Sequence, residues 1–187
     1  MRIDSHQHFW HYTPADYPWI PRSGQIEAGR QGDDDASSDN PRSLDRDFLP
    51  ADLQPLLRAA EIDGCIAVQA RQSLTENDFL LSLADQNEFI LGVVGWIDLR
   101  SDEANEQAKR FADHPKAVGV RHVVQDESQP MFMAGKEFRR GMECLCDHGL
   151  TYDILIYEHQ LEDALALRQA FPDQQFALDH IAKPKLK

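Results

Sequence analysis

Arg2-Ile3-Asp4-Ser5-His6-Gln7-His8-Phe9-Trp10 decides how the chain is read. An extended segment places residues i and i+2 on one face. A strand over Ile3 to His8 therefore projects the imidazoles of His6 and His8 the same way, close enough to share a metal ion or a polarised carbonyl. Such a pair, just after an apolar strand entry, suits the first strand of a barrel that delivers ligands to its rim. The plainer alternative is an N-terminal strand carrying two surface histidines. The remainder of the chain decides between them.

From residue 48 onward the pattern is regular. Pro50 opens a helix with Leu53, Leu56, Leu57 and Ala60 on one face, and residues 64–70 form a short, almost wholly apolar strand. Further helices are expected over 75–87, 101–113, 134–148 and 161–171, alternating with apolar strands over 90–97, 117–124, 152–156 and 176–179. Strands apolar on both faces, separated by amphipathic helices, are the mark of parallel βα units. No Gly-x-Gly-x-x-Gly turn follows the first strand, so a dinucleotide-binding doubly wound sheet lacks local support. The expected fold is α/β, a TIM-type (β/α) barrel with six of the eight βα units present, and hence incomplete.

Residues 1–187 are read as a single domain. Between the first strand and the first helix runs Tyr17-Pro18-Trp19-Ile20-Pro21, followed by a stretch rich in Gly, Asp, Ser and Asn that includes Asp33-Asp34-Asp35. Too little of it is apolar to order itself strongly. A polar flap over 21–47, rooted on Trp10 and Trp19, is expected there.

A hydrophobic fraction of 42% supports a real core. No run approaches the ~18 apolar residues that span a bilayer, and Met-Arg-Ile-Asp is not followed by the apolar region of a secretory signal. Cys65, Cys144 and Cys146 read as reduced thiols, which points to a cytoplasmic setting. The formal charge of −13, from 32 acids against 19 bases, argues against nucleic acid or membrane as partner. Small anionic substrates stay open, because local arginines can dominate a pocket.

Each expected strand turns polar at its C-terminal end: His6 and His8; Gln69 and Arg71; Trp96 and Asp98; Arg121 and His122; Tyr157, Glu158 and His159; Asp179, His180 and Lys183. A polar group on a buried strand is costly without a partner, so six repetitions at one end carry more weight than any single one. Alternation allows either Arg121 or His122 to face the interior, not both, and does not say which. Trp96 serves equally as packing or as a wall for a ring substrate.

Taken together, Ile3-Asp4-Ser5-His6-Gln7-His8-Phe9-Trp10, Tyr17-Pro18-Trp19-Ile20, Asp47-Phe48-Leu49-Pro50, Val68-Gln69-Ala70-Arg71-Gln72, Gly92-Val93-Val94-Gly95-Trp96-Ile97-Asp98, Gly119-Val120-Arg121-His122 and Leu178-Asp179-His180-Ile181-Ala182-Lys183-Pro184 resemble the amidohydrolase superfamily. The likeness is to its amidohydrolase-related branch of sugar-acid lactonases and 2-pyrone-4,6-dicarboxylate lactonase, nearest the fuconolactonase or rhamnonolactonase type.

The resemblance implies hydrolysis of a lactone to its hydroxy acid. His6, His8 and His180 would be the catalytic residues and the ligands of one divalent metal, zinc before others, although some members of this branch are thought to work without one. Gln69, Arg71, Trp96, Arg121, His122, Tyr157 and Lys183 would bind the small-molecule lactone. The family pattern also places a general-base aspartate on an eighth strand, and this sequence has no convincing counterpart. That departure implies a truncated member, either self-associating or completed by a missing C-terminal portion. Two alternatives follow: a catalytically impaired binding or assembly fragment, or a decarboxylase or amide hydrolase on the same scaffold.

Overall fold

Six short segments extend and pair side by side: β1 (Ile3–Gln7), β2 (Gly64–Val68), β3 (Ile90–Gly95), β4 (Ala117–His122), β5 (Thr151–Ile154) and β6 (Phe176–Leu178). The computed structural model describes residues 1–21 and 43–185; residues 22–42 of the expected flap lie outside the described residues. All neighbouring pairs are parallel and the order follows the chain, β1-β2-β3-β4-β5-β6. The crossovers are α1 (Pro50–Ala59), α2 (Leu74–Gln86), α3 (Ala104–Ala112), α4 (Lys136–Asp147) and α5 (Leu161–Ala170). No helix among the described residues is long and apolar enough to cross a membrane.

The core lies between the strands and this helical layer. Val93, Val120, Tyr152 and Ile154 from the sheet cluster with Leu80, Phe111, Phe138, Met142 and Leu167 from the helices. Burying each large apolar side chain contributes about 1.5–3 kcal/mol. On α1 the expected apolar face is only partly realised: Leu57 is buried, whereas Leu56 is 66% exposed. The reason is position, because α1 follows the edge strand of the sheet.

Two local devices shape the strand ends. At the end of β3, the Asn77 amide on α2 donates to the Trp96 carbonyl at 2.7 Å and accepts from the Trp96 N–H at 2.8 Å. It thus satisfies the backbone as another strand would. Gly95 permits the approach, since a Cβ there would lie 2.5 Å from Asn77 Oδ1. After β6, His180, Ile181, Ala182 and Lys183 all adopt left-handed backbone, with φ of 51°, 53°, 56° and 50°. Each such residue costs about 1–2 kcal/mol, most conspicuously the β-branched Ile181.

Replacing Asn77→Ala removes both backbone bonds and leaves the part-buried Trp96 N–H without this partner, so urea unfolding should show a loss of about 1–3 kcal/mol. Ile181 is 78% exposed and has little packing to lose. Ile181→Gly should therefore raise stability by about 0.5–1 kcal/mol, once glycine's own entropic cost is subtracted; a fall would contradict the strained turn.

Candidate functional site

A flat six-stranded sheet would hold β1 and β6 about 24 Å apart, at ~4.8 Å per strand. Instead His6 Nδ1 lies 3.7 Å from Asp179 Oδ1, and the His6 and His180 rings are 4.8 Å between centroids. The sheet curls, and the C-terminal ends of β1, β4 and β6 meet around one hollow.

His8 fixes the chemistry of the pair. Its Nδ1 donates to the Val68 carbonyl at 2.8 Å, so Nε2 carries a lone pair. That Nε2 faces the Nε2 of His6 at 3.2 Å. Nε2 of His6 in turn accepts from Arg121 Nη1 at 3.1 Å, so it too presents a lone pair. Burial, then the Arg121 charge, push the His8 imidazole down to about 3. His6 is likewise lowered by burial, with Asp179 acting against the shift. Two neutral imidazoles thus aim bare nitrogens at one place.

Arg121 occupies the centre. Its side chain is 5% exposed, and Nη1 donates to Asp179 Oδ2 at 3.0 Å as well as to His6, while Nη2 donates to the Gln69 carbonyl. Gln69 returns a bond from Nε2 to the Arg121 carbonyl at 3.2 Å. Beside Arg121 in register on β5 stands Asp153, buried. Burial and then the neighbouring Asp179 push its carboxyl up to about 7, against the pull of Arg121.

Above this floor opens a cavity of about 660 Å³, lined among others by His8, Trp19, Arg71, Arg121, His180 and Lys183. Arg71 is held by carboxylates on two sides, with Nε 2.8 Å from Glu76 Oε2 and Nη1 on Asp16. Lys183 donates to Gln125 and stands 5.4 Å from the Tyr157 ring. Tyr157 is exposed and stacks on His159. The other member of the β4 pair turns away: His122 Nε2 lies 2.8 Å from Glu127, and its ring stacks on Phe132. Burial lowers the His122 imidazole, with Glu127 opposing. Trp96 Nε1 donates to His122 Nδ1 at 3.4 Å, and neither residue lines the cavity. The structure therefore gathers His6, His8, His180, Gln69, Arg71, Arg121 and Lys183, sets Tyr157 at the margin, and leaves Trp96 and His122 outside.

Three carboxyls matter that were given no role from sequence: Asp179, although the strand-end pattern included it, and Glu76 and Asp153, which that pattern did not include. Asp179 joins the histidines, and alternation along β6 carries the signal. Glu76 is fully buried and receives the N–H groups of Ala70 and Arg71, the Arg71 Nε–H and, at 3.4 Å, the Tyr17 hydroxyl. Its place one turn before Leu80 on a buried stripe was the clue. Asp153, in the middle of an apolar strand, was another.

His6, Asp179 and His180 offer ligand atoms within 4.8 Å of one another. Two nitrogens on a tetrahedral zinc, each bonded at ~2.0–2.1 Å, lie about 3.3 Å apart. The 3.2 Å between the facing lone pairs of His6 and His8 fits that demand, as does the nitrogen and carboxylate donor set.

The family model described as "Amidohydrolase" matches residues 3–187. An L-fucono-1,5-lactonase of Burkholderia multivorans is 38% identical over 187 residues, an alignment covering 100% of this chain and 57% of that protein. An L-fucono-1,5-lactonase of Burkholderia ambifaria is 30% identical over 186 residues, covering 100% of this chain and 58% of that protein. A crystal structure of an amidohydrolase from B. multivorans with bound zinc superposes with a TM-score of 0.82 at 39% identity, covering 98% of this chain and 59% of the other. The chain thus spans less than two thirds of the length of these relatives.

Opposing titrations follow from the site. His8, lowered from 6.5 to about 3, contributes stability that is present above pH 6.5 and is lost as pH falls toward 3. Asp153, raised from 3.8 to about 7, contributes stability that is present below 3.8 and is lost as pH rises toward 7. Between about pH 4 and 6.5 the two slopes cancel in part. Asp153→Asn removes the second, so its stability should climb more steeply with pH across that window than the parent's. Urea midpoints at four pH values check this, and parallel curves would refute it.

Proposed function

The chain belongs to the amidohydrolase family, and from that premise we propose that its protein hydrolyses the lactone of a neutral sugar acid to the open hydroxy acid. In this reading residues 1–187 form one domain carrying six strands and the five helices between them of the family's barrel. The name borne by two relatives, L-fucono-1,5-lactonase, supports the reaction class. The observation that carries the substrate class is the charge balance of the cavity wall.

Three cations on that wall, Arg71, Arg121 and Lys183, face three carboxylates, Asp16, Asp126 and Glu127. Arg71 is already matched by Asp16 and Glu76, and Arg121 by Asp179. Among the described residues no strong positive field is left to hold a dicarboxylate, and carboxylates and amides suit the hydroxyls of a sugar ring. A cavity of about 660 Å³ accommodates such a ring.

In the reaction, water adds to the carbonyl carbon and gives up a proton, the ring C–O bond breaks, and the leaving alkoxide takes a proton, so that the net transfer is one proton from water to the alkoxide. The lone pairs of His6 and His8 cannot donate to the carbonyl oxygen; they would instead hold a cation. His6, His8, Asp179 and His180 would hold a divalent ion, and when bound such an ion supplies Lewis-acid polarisation. Arg121, on the cavity wall, supplies positive charge that stabilises charge developing on oxygen. Lys183, held near the cavity by the left-handed turn, lies on the wall as a proton donor for the alkoxide.

Acid release from a panel of lactones tests the proposal. Neutral six-carbon aldonolactones should turn over, with a pyrone dicarboxylate slower by at least about tenfold, because its second charge finds no free cation among the described residues of the wall. His6→Ala should lower the rate by about 10²-fold or more. Buffer-level rates for the parent and for His6→Ala alike would overturn the hydrolase reading, and a preference for the dicarboxylate would overturn the substrate class.

A further inference from the structure

We infer that the guanidinium of Arg121 is the resident cation of the His6–His8–Asp179 cluster and competes with a divalent metal for the same lone pairs, so that this residue sets how tightly the chain takes zinc. The inference rests on the metal part of the reading above.

It begins with a repulsion. The hydrogen bonds of His8 to Val68 and of His6 to Arg121 leave both Nε2 atoms unprotonated, 3.2 Å apart. Two lone pairs at that distance cannot bond to each other and are tolerated only with positive charge beside them. Arg121 Nη1 provides it at 3.1 Å from His6, and it is tied on the other side to Asp179 Oδ2 at 3.0 Å.

His6 and Asp179 are also two of the three residues whose ligand atoms cluster tightly enough for a metal. A metal cannot engage the Nε2 of His6 or Oδ2 of Asp179 while Nη1 stays, because Nη1 already holds both atoms and two cations about 3 Å apart repel. The guanidinium has somewhere to go. Asp153 sits directly beside Arg121 in register, and Arg121 Nε has no hydrogen-bond partner among the described residues. Metal occupancy and the present Arg121 position therefore exclude each other, and the arginine lowers zinc affinity.

The test is a zinc titration of the 187-residue chain against a chromogenic chelator, comparing parent, Arg121→Met, His6→Ala and the double variant. Arg121→Met should bind zinc at least about tenfold more tightly than the parent, and the gain should vanish when His6→Ala is added. Unchanged or weaker binding by Arg121→Met overturns the inference. If His6→Ala still weakens zinc binding, the metal reading survives that outcome. If His6→Ala leaves zinc binding untouched, the metal lies elsewhere and both fall. Should Arg121→Met fail to fold, Arg121→Lys gives the same comparison, its compact ammonium being unable to bridge all three acceptors, with about a threefold gain expected. In the parent, added zinc should also shift the ¹⁵Nε signal of Arg121, and a signal unmoved at saturation would overturn the inference.

Discussion

A guanidinium taken out of water has to meet acceptors and anions on every side, and Arg121 meets them across most of the sheet. From β4 it reaches His6 on β1, the Gln69 carbonyl beyond β2 and Asp179 beyond β6. Removing one partner of such a pair typically costs 3–5 kcal/mol, because a buried charge is left uncompensated. The contacts are possible only if the strands curl, so one side chain records the curvature of the sheet. The same contacts explain why an all-parallel sheet tolerates histidines and carboxyls on its inner side.

Much of this was legible beforehand, for a local reason. Periods of two and of 3.6 residues are written in neighbouring side chains, so the alternation of strands and helices could be read directly, as could the shared face of His6 and His8. The phase of that alternation is not local. Whether Arg121 or His122 turns inward is settled by pairing, which sets Arg121 beside Asp153 and His122 beside Ile154. Burial on α1 also depends on neighbours, and Leu56 shows it. The turn from His180 to Lys183 was illegible in a stronger sense. Left-handed backbone is normally announced by Gly or Asn, whereas this segment reads His-Ile-Ala-Lys.

That turn also shows where strain is tolerated. His180 and Lys183, both on the cavity wall, are carried by backbone that their own side chains disfavour. Strain of this kind persists where the surrounding structure over-determines it and gathers at functional positions. Here the surroundings are Asp179, held by Arg121, on one side and Lys183 bonded to Gln125 on the other.

Glu76 adds a coupling that neither periodicity nor distance from the histidines suggests. It is the shared acceptor for the rim after β2, through Ala70 and Arg71, and for Tyr17 in the small aromatic cluster with Trp10 and Ile20. Arg71 closes the circuit by reaching Asp16. Rim and aromatic root are thus one mechanical unit. A load placed on Arg71 would therefore reach, through Glu76 and Tyr17, the seat of the Trp10 indole.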